Sequence, residues 1–479
     1  MFKKIKEEKA NSSLFFLILL PVTMLILFAT FANGQSRRNE LDFVRASENN
    51  LDLTLADYDR QLWQEFGLWG VNEEALNQYS DELLGQYMKE EYLVANKIYP
   101  ANYLEETDQF RTQILRHMNI RSKIFLIEEI LNRFTDFQSL STSLNNSEFW
   151  SNLKQDNIDP EKLLQNPDLA QAKLTDLNLT EDQFQEERED KTEEERSALK
   201  EASLSILANL IDQAKEMLIP IYESIGNEQP SDPLSPNSLE SIGHFVDNLM
   251  SRHNTTFSRL EINEYMFHYY TMQCSEFYQH GIPQKMKTPD GRLHEDLIKN
   301  GRECEVEHII FEKNSPQASA KTAKTAITAI RFLYHFMNNT VDPVKQSAFL
   351  TQATEISLII AIASLGDIAI DPQILAQILV LIDSLSSTFK DMDKVMEGHY
   401  LTFKIFELET KMNYLDFLRI FALLKSEEKI LEGMTETRQK LIPGKFATAF
   451  ILEGTFEDSF LRLKREFSDY LFESENLIE

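Results

Sequence analysis

At 479 residues with 42% hydrophobic side chains, the chain can bury a sizeable core, which argues against a disordered tail and predicts roughly two to four domains. Its 77 acidic residues against 48 basic ones leave a formal charge of −29, so most of the surface repels a polyanion and nucleic acid is not expected as a partner. Glycine is scarce, at 14 residues, which argues against phosphate-cradling loops and against an all-β chain crowded with tight turns.

Residues Leu14–Phe31 (LFFLILLPVTMLILFATF) run without a charge. As helix they reach roughly 27 Å, close to the hydrocarbon thickness of a bilayer. Pro21 falls in the opening turns, where a missing amide costs least. Lys3, Lys4, Lys6 and Lys9 precede the run, and Arg37, Arg38 and Arg45 follow it. This weak bias predicts a cytoplasmic N-terminus, a single-pass anchor in the cell membrane and an extracytoplasmic body. A cleavable signal peptide is the rival, because Ala32-Asn33-Gly34 has the small-x-small form of a cleavage site. The apolar run is longer than the roughly 7 to 15 residues of such leaders, and either reading exports the body.

Leu55, Tyr58, Leu62, Phe66 and Trp69 then recur at spacings of three and four, the stripe of an amphipathic helix over Leu51–Gly67 that Gly67 and Gly70 can end. Asn33-Gly34 predicts a break between this helix and the apolar one. Two or three helices continue over Glu73–Phe137, with Ile114, Met118, Ile124, Ile127 and Leu131 as core candidates and Pro100 at a joint. Glu181–Glu201 holds ten acids and four bases, the composition of a solvated face. A short helix at Ala202–Ile219 follows, and then a linker punctuated by Pro220, Pro230, Pro233 and Pro236.

Beyond Ser238 the composition changes. Arg259–Met272 and Glu303–Phe311 are rich in aromatic and β-branched residues and predict strands, with Thr288-Pro289-Asp290-Gly291 as a turn between them. Ile327, Ile330, Tyr334 and Met337 form a helical stripe. Leu358–Ile370 and Ile374–Ile382 are together long enough for a second membrane crossing. Asp367, Asp371 and Pro372 interrupt them, and an acid at the bilayer centre costs roughly 2.5 to 3.5 kcal/mol, so a buried helical hairpin is expected. The predicted fold class is α+β, predominantly α-helical. It comprises an anchor at 1–35, a helical membrane-proximal region at 36–138, an acidic insert and linker at 139–237, and a C-terminal domain with a small sheet and helices at 238–479.

Several blocks stand in order along both halves: the apolar run with its proline, ASENNLDLTLADYDRQLWQEFGLWG at Ala46–Gly70, and INEYMFHYY at Ile262–Tyr270. ECEVEHIIF at Glu303–Phe311, AITAIRFLYHFMNN at Ala326–Asn339 and MNYLDFLRIFALL at Met412–Leu424 continue the series. Together they resemble a family of exported proteins of low-GC Gram-positive bacteria, with a domain of unknown function, encoded near tight-adherence (Flp-type) pilus genes. The resemblance implies a TadE/TadG-like surface protein, with a pseudopilin-like helix and a large extracytoplasmic domain serving pilus assembly or the envelope. It carries no catalytic residues with it. The chain departs from the family at Phe15, where such leaders generally have glutamate, and at His308 and His335, where tyrosine and asparagine are usual.

Candidate chemistry is sparse. Glu303, Glu305 and Glu307 would share one face of a strand, with His308 on the other, and Arg259 and Arg331 are candidate partners. His280, His294 and Cys304 lie nearby in sequence, but no spacing matches a zinc motif, so no metal and no cofactor are expected. Cys274 and Cys304, the only cysteines, permit one disulfide in an oxidising compartment. Tyr58, Trp63, Phe66 and Trp69 are the candidate contacts for a pilin or pilus-assembly partner, by helix-in-groove packing, with burial against the protein's own body as the other outcome. The expected function is a non-enzymatic, membrane-anchored structural or assembly component; an anchored or secreted cell-envelope hydrolase is the alternative.

Overall fold

The first helix does not stop at Asn33-Gly34. Helix α1 runs unbroken over Phe2–Ala56, 55 residues, and so reaches about 80 Å. A single glycine costs about 1 kcal/mol of helix propensity, too little to interrupt a helix that is strongly favoured on either side, and nothing crowds Gly34. The computed structural model describes residues 2–74, 97–119, 150, 172–225, 230–250, 257–279, 281–405, 408–456 and 459–467.

The break expected at Gly34 comes instead after Ala56. Asp59 caps α2 (Arg60–Phe66) by accepting the Leu62 N–H at 2.7 Å. Gly67, at φ 64°, ends it with its own N–H on the Trp63 carbonyl. The chain continues through β1 (Val71–Asn72), β2 (Lys97–Tyr103) and α3 (Thr107–Asn119). Pro100, expected at a helix joint, lies inside β2 beside a register irregularity, where a strand tolerates a missing amide. Ile114 and Met118 are buried as expected, while Ile124, Ile127 and Leu131 lie outside the described residues.

The acidic run folds as α4 (Asp182–Glu189) and the start of α5 (Glu193–Ser224). Thr192 and Glu195 exchange side-chain and backbone bonds in a capping box, so the acids fall where the helix dipole favours them. Pro220, expected in a linker, sits inside α5, and Pro236 opens α6 (Pro236–Met250). Both predicted strands are helices: Arg259–Met272 supplies α7 (Phe257–Tyr269). Strands β3 (Glu276–Gln279) and β4 (Ile282–Lys285) form a small hairpin after it. The expected turn follows, with the Gly291 N–H on the Thr288 carbonyl at 2.8 Å, and then α8 (His294–Lys299). Glu303–Phe311 supplies the second of these helices, α9 (Glu305–Phe311). A short apolar run reads alike as a buried helix or a buried strand; here nearly every side chain of both segments is buried, and helix satisfies their backbone locally.

Three long helices carry the second half: α10 (Pro316–Val341), α11 (Pro343–Ala363) and α12 (Pro372–Met396). They pack with α5 into a bundle, α12 lying against both α10 and α11. A hairpin of β5 (Leu401–Ile405) and β6 (Leu408–Met412), then α13 (Tyr414–Leu424) and α14 (Glu427–Leu441), bring the chain back. The last strands are β7 (Phe446–Phe456) and β8 (Ser459–Glu466). Strand β7 pairs antiparallel with β2 along one edge, and with β1 and then β8 along the other.

The chain is thus mixed α+β and mostly helical, with an N-terminal apolar helix. It divides into two compact units, Met1–His117 with Arg438–Glu479, and Met118–Thr437. Positions 138 and 237, the expected boundaries, both fall within the second unit. The core of the first unit joins Leu51 and Leu55 of α1 to Val71 and to Ala447, Phe450 and Leu452 of β7.

Candidate functional site: the apolar helix and its sheet

Helix α1 has two halves of different character. Ten large apolar side chains between Leu17 and Phe31 are exposed, Leu25 and Phe28 each at 72%. Leaving them in water costs roughly 15–30 kcal/mol at about 1.5–3 kcal/mol apiece, more than the roughly 5–15 kcal/mol that holds a domain together. This half therefore needs a cover of lipid or of other helices. The two threonines inside it are already satisfied: Thr23 donates to the carbonyls of Leu19 and Leu20, and Thr30 to those of Ile26 and Leu27, at 2.9–3.0 Å. That internal pairing is what a hydroxyl requires in hydrocarbon.

From Phe43 onward the helix is welded to the first unit. Phe43, Ser47, Leu51, Thr54 and Leu55, at spacings of three and four, are buried. Arg465 of β8 reaches Glu48 at 3.2 Å and Asp52 at 3.8 Å on the same helix, tying the outer strand to it. Between Phe31 and Phe43 the helix is mostly exposed and polar, and carries Arg37, Arg38 and Asp42.

The four aromatic residues singled out as partner contacts come together, but largely inside the protein's own fold. Phe66 is fully buried and offers nothing to a partner. Trp69 takes Tyr58 edge-on at 4.5 Å and Trp63 at 4.1 Å, and stacks on Phe467 at 5.9 Å. Gln113 clamps Trp69 from both sides, accepting its N–H and donating to its carbonyl. Tyr58, Trp63 and Trp69 remain half-buried.

The acidic cluster at Glu303–His308 is built differently from its strand reading. On α9, Glu305 and Glu307 both turn inward. Glu305 closes on Arg302 at 2.9 Å and accepts the Thr271 N–H. Glu307 accepts the Gln273 N–H and the Tyr414 hydroxyl, each at 2.8 Å, and its second oxygen has no hydrogen-bond partner. Burial pushes its pKa up to about 7. Glu303 stays exposed, and His308 faces the Ser319 hydroxyl at 3.4 Å. Arg331 pairs not with these glutamates but with Asp391, while its guanidinium lies 4.5 Å from both the Tyr334 and Phe403 rings. His335 shares Asp391, at 2.9 Å.

Cys274 and Cys304 are free and buried, and burial drives both thiols up, to about 11 and about 12, away from thiolate chemistry. No group of three or more metal-ligating side chains converges among the described residues, and His280 lies outside them.

Among the described residues, three helices are long and apolar enough to cross a membrane: Leu19–Ala56 within α1, α11 and α12. None of the apolar window of the first is buried in the protein, against 22% in α11 and 44% in α12. The turn between α11 and α12 is tied to charged neighbours, as Asp367 meets Arg188 at 3.3 Å and Arg196 at 3.1 Å. Asp383 of α12 accepts from Asn339 of α10 at 2.9 Å, and Asn339 accepts from Lys345 of α11 at 2.8 Å. No protein-family model, curated protein or solved structure matches the chain.

Proposed function

We propose that the protein is a single-pass membrane anchor for an acidic extracytoplasmic body, with a structural or assembly role in a tight-adherence pilus or related envelope system rather than a catalytic one. The observation that carries this reading is the division of α1: bare and apolar between Leu17 and Phe31, locked to an antiparallel sheet from Phe43. A subunit drawn from a membrane into an assembly must exchange lipid for neighbouring helices along one stretch of its stem without disturbing the rest. A continuous helix with its packing confined to the far half meets that requirement. The lysines ahead of the apolar run favour a cytoplasmic N-terminus, and the polar ties of α11 and α12 favour leaving both within the body. The pilus assignment rests on the ordered sequence blocks.

Two experiments separate the anchor from the assembly role. Protease added to intact cells should digest the body and spare an epitope fused ahead of Lys3; a protected body overturns the topology. Deleting the gene should reduce surface pili counted by electron microscopy. Unchanged pili and adhesion would remove the assembly role and leave the anchor standing.

A further inference from the structure

The second unit holds a cavity of about 430 Å³ that an anchoring role does not use. Met272, Ile298 and Ala320 form its apolar wall, and Gln273, Gln317 and Glu303 its polar one. Lys321 and Lys324 complete it from α10, three positions apart and so on one helical face. Both lysines are exposed, and neither side chain has an ion-pair partner among the described residues.

In a chain of charge −29, two neighbouring lysines without an ion-pair partner are conspicuous; one carboxylate, Glu303, shares the cavity with them and leaves the pair in excess. Glu303 accepts from the Gln317 side chain at 3.2 Å. Glu305 is closed on Arg302, and Glu307 on Gln273 and Tyr414. The wall is also fixed in place. The Gln273 backbone is held by Glu307, and Cys304, which lines the cavity, stands at φ 54°, a left-handed conformation that a side chain disfavours and that the surrounding fold must impose. A pre-formed concavity with one apolar wall and a few convergent polar groups is the usual form of a small-molecule site.

We propose that this cavity binds a small organic anion, its carboxylate or phosphate head between Lys321 and Lys324 and its apolar body against Met272, Ile298 and Ala320. The side-chain amides of Gln273 and Gln317 supply further donors to the head. The inference is independent of the membrane and pilus reading.

Calorimetric titration of the full chain in phosphatidylcholine nanodiscs tests it, with phenyl phosphate and benzoate as anions and with benzyl alcohol and inorganic phosphate as controls. At least one of the two anions should bind saturably at one site, more tightly than either control. The doubly substituted Lys321→Gln, Lys324→Gln chain should bind at least tenfold more weakly with an unchanged melting temperature, since both side chains are exposed. Ile298→Trp, which fills the apolar wall, should abolish binding. Absence of saturable binding by both anions, equal affinity in the double lysine variant, or controls that match the anions would overturn the proposal.

Discussion

Glu307 and His294 push the stability of the second unit in opposite directions as pH changes. Glu307 is buried and holds its proton up to about pH 7, against an ordinary value of 4.5, because desolvation outweighs its bonds from Gln273 and Tyr414. The folded state therefore binds the extra proton between 4.5 and 7, and this contribution is full below 4.5 and lost as pH rises through 7. At about 1.4 kcal/mol per pH interval the loss reaches about 3 kcal/mol. In Glu307→Gln that alkaline decline should vanish, as urea unfolding at pH 5 and pH 8 would read. His294 is held at about 4 rather than 6.5, chiefly by burial, so its contribution is present above 6.5 and lost as pH falls through 4. His294→Asn should flatten that acid limb and leave the alkaline one; a variant that still loses stability between pH 6.5 and 4 contradicts the assignment. Arg331 carries a different kind of load. Its removal in Arg331→Met leaves Asp391, 13% exposed, with fewer partners, and should cost about 3 kcal/mol in thermal unfolding. Arg331→Lys should recover only some of this, since an ammonium cannot bridge Asp391 and the Thr402 carbonyl while lying between two rings.

Among the elements, helix ends were legible where a side chain or a glycine makes the bond itself. Gly67 stops α2, as its position after the apolar stripe predicts. Gly70 has another task. A Cβ there would lie 2.8 Å from the Phe446 Cβ and 3.2 Å from Leu62, so Gly70→Ala should destabilise the first unit by about 1–3 kcal/mol, measurable by chemical denaturation. Full stability in that variant would show that β7 can yield. Strand and helix were confused at α7 and α9 for a physical reason: both segments are buried nearly all round, so neither shows the polar face that distinguishes a period of 3.6 from one of 2. The inward turn of Glu305 and Glu307 was illegible for the same reason. Their partners, Arg302, Thr271, Gln273 and Tyr414, come from three separate segments.

For the molecule as a whole, α1 decides behaviour outside the fold. Among the described side chains, which start at Leu17, burial begins at Phe43, so deleting residues 2–35 should release the chain from carbonate-washed membranes while its circular dichroism and melting temperature persist. Collapse of the shortened chain would mean that the apolar half supports the body. The first unit is discontinuous: strands at 97–103 and 446–456 lie side by side in one sheet. Linear shifts in composition near 138 and 237 do not mark such a boundary, because the strand that completes the sheet is supplied from the far end of the chain.

What this chain's residues settle without help is local: an uncharged run too apolar for water, caps and turns that bond within a few positions, and a surface whose net charge repels polyanions. Tertiary structure alone decided that the far half of α1 packs on the sheet, and that Phe66 and much of Trp69 turn inward. It also left Lys321 and Lys324 beside a cavity with no ion-pair partner among the described residues. Those outcomes depend on which distant segment arrives to cover a side chain, and that free energy belongs to contacts between residues far apart along the chain.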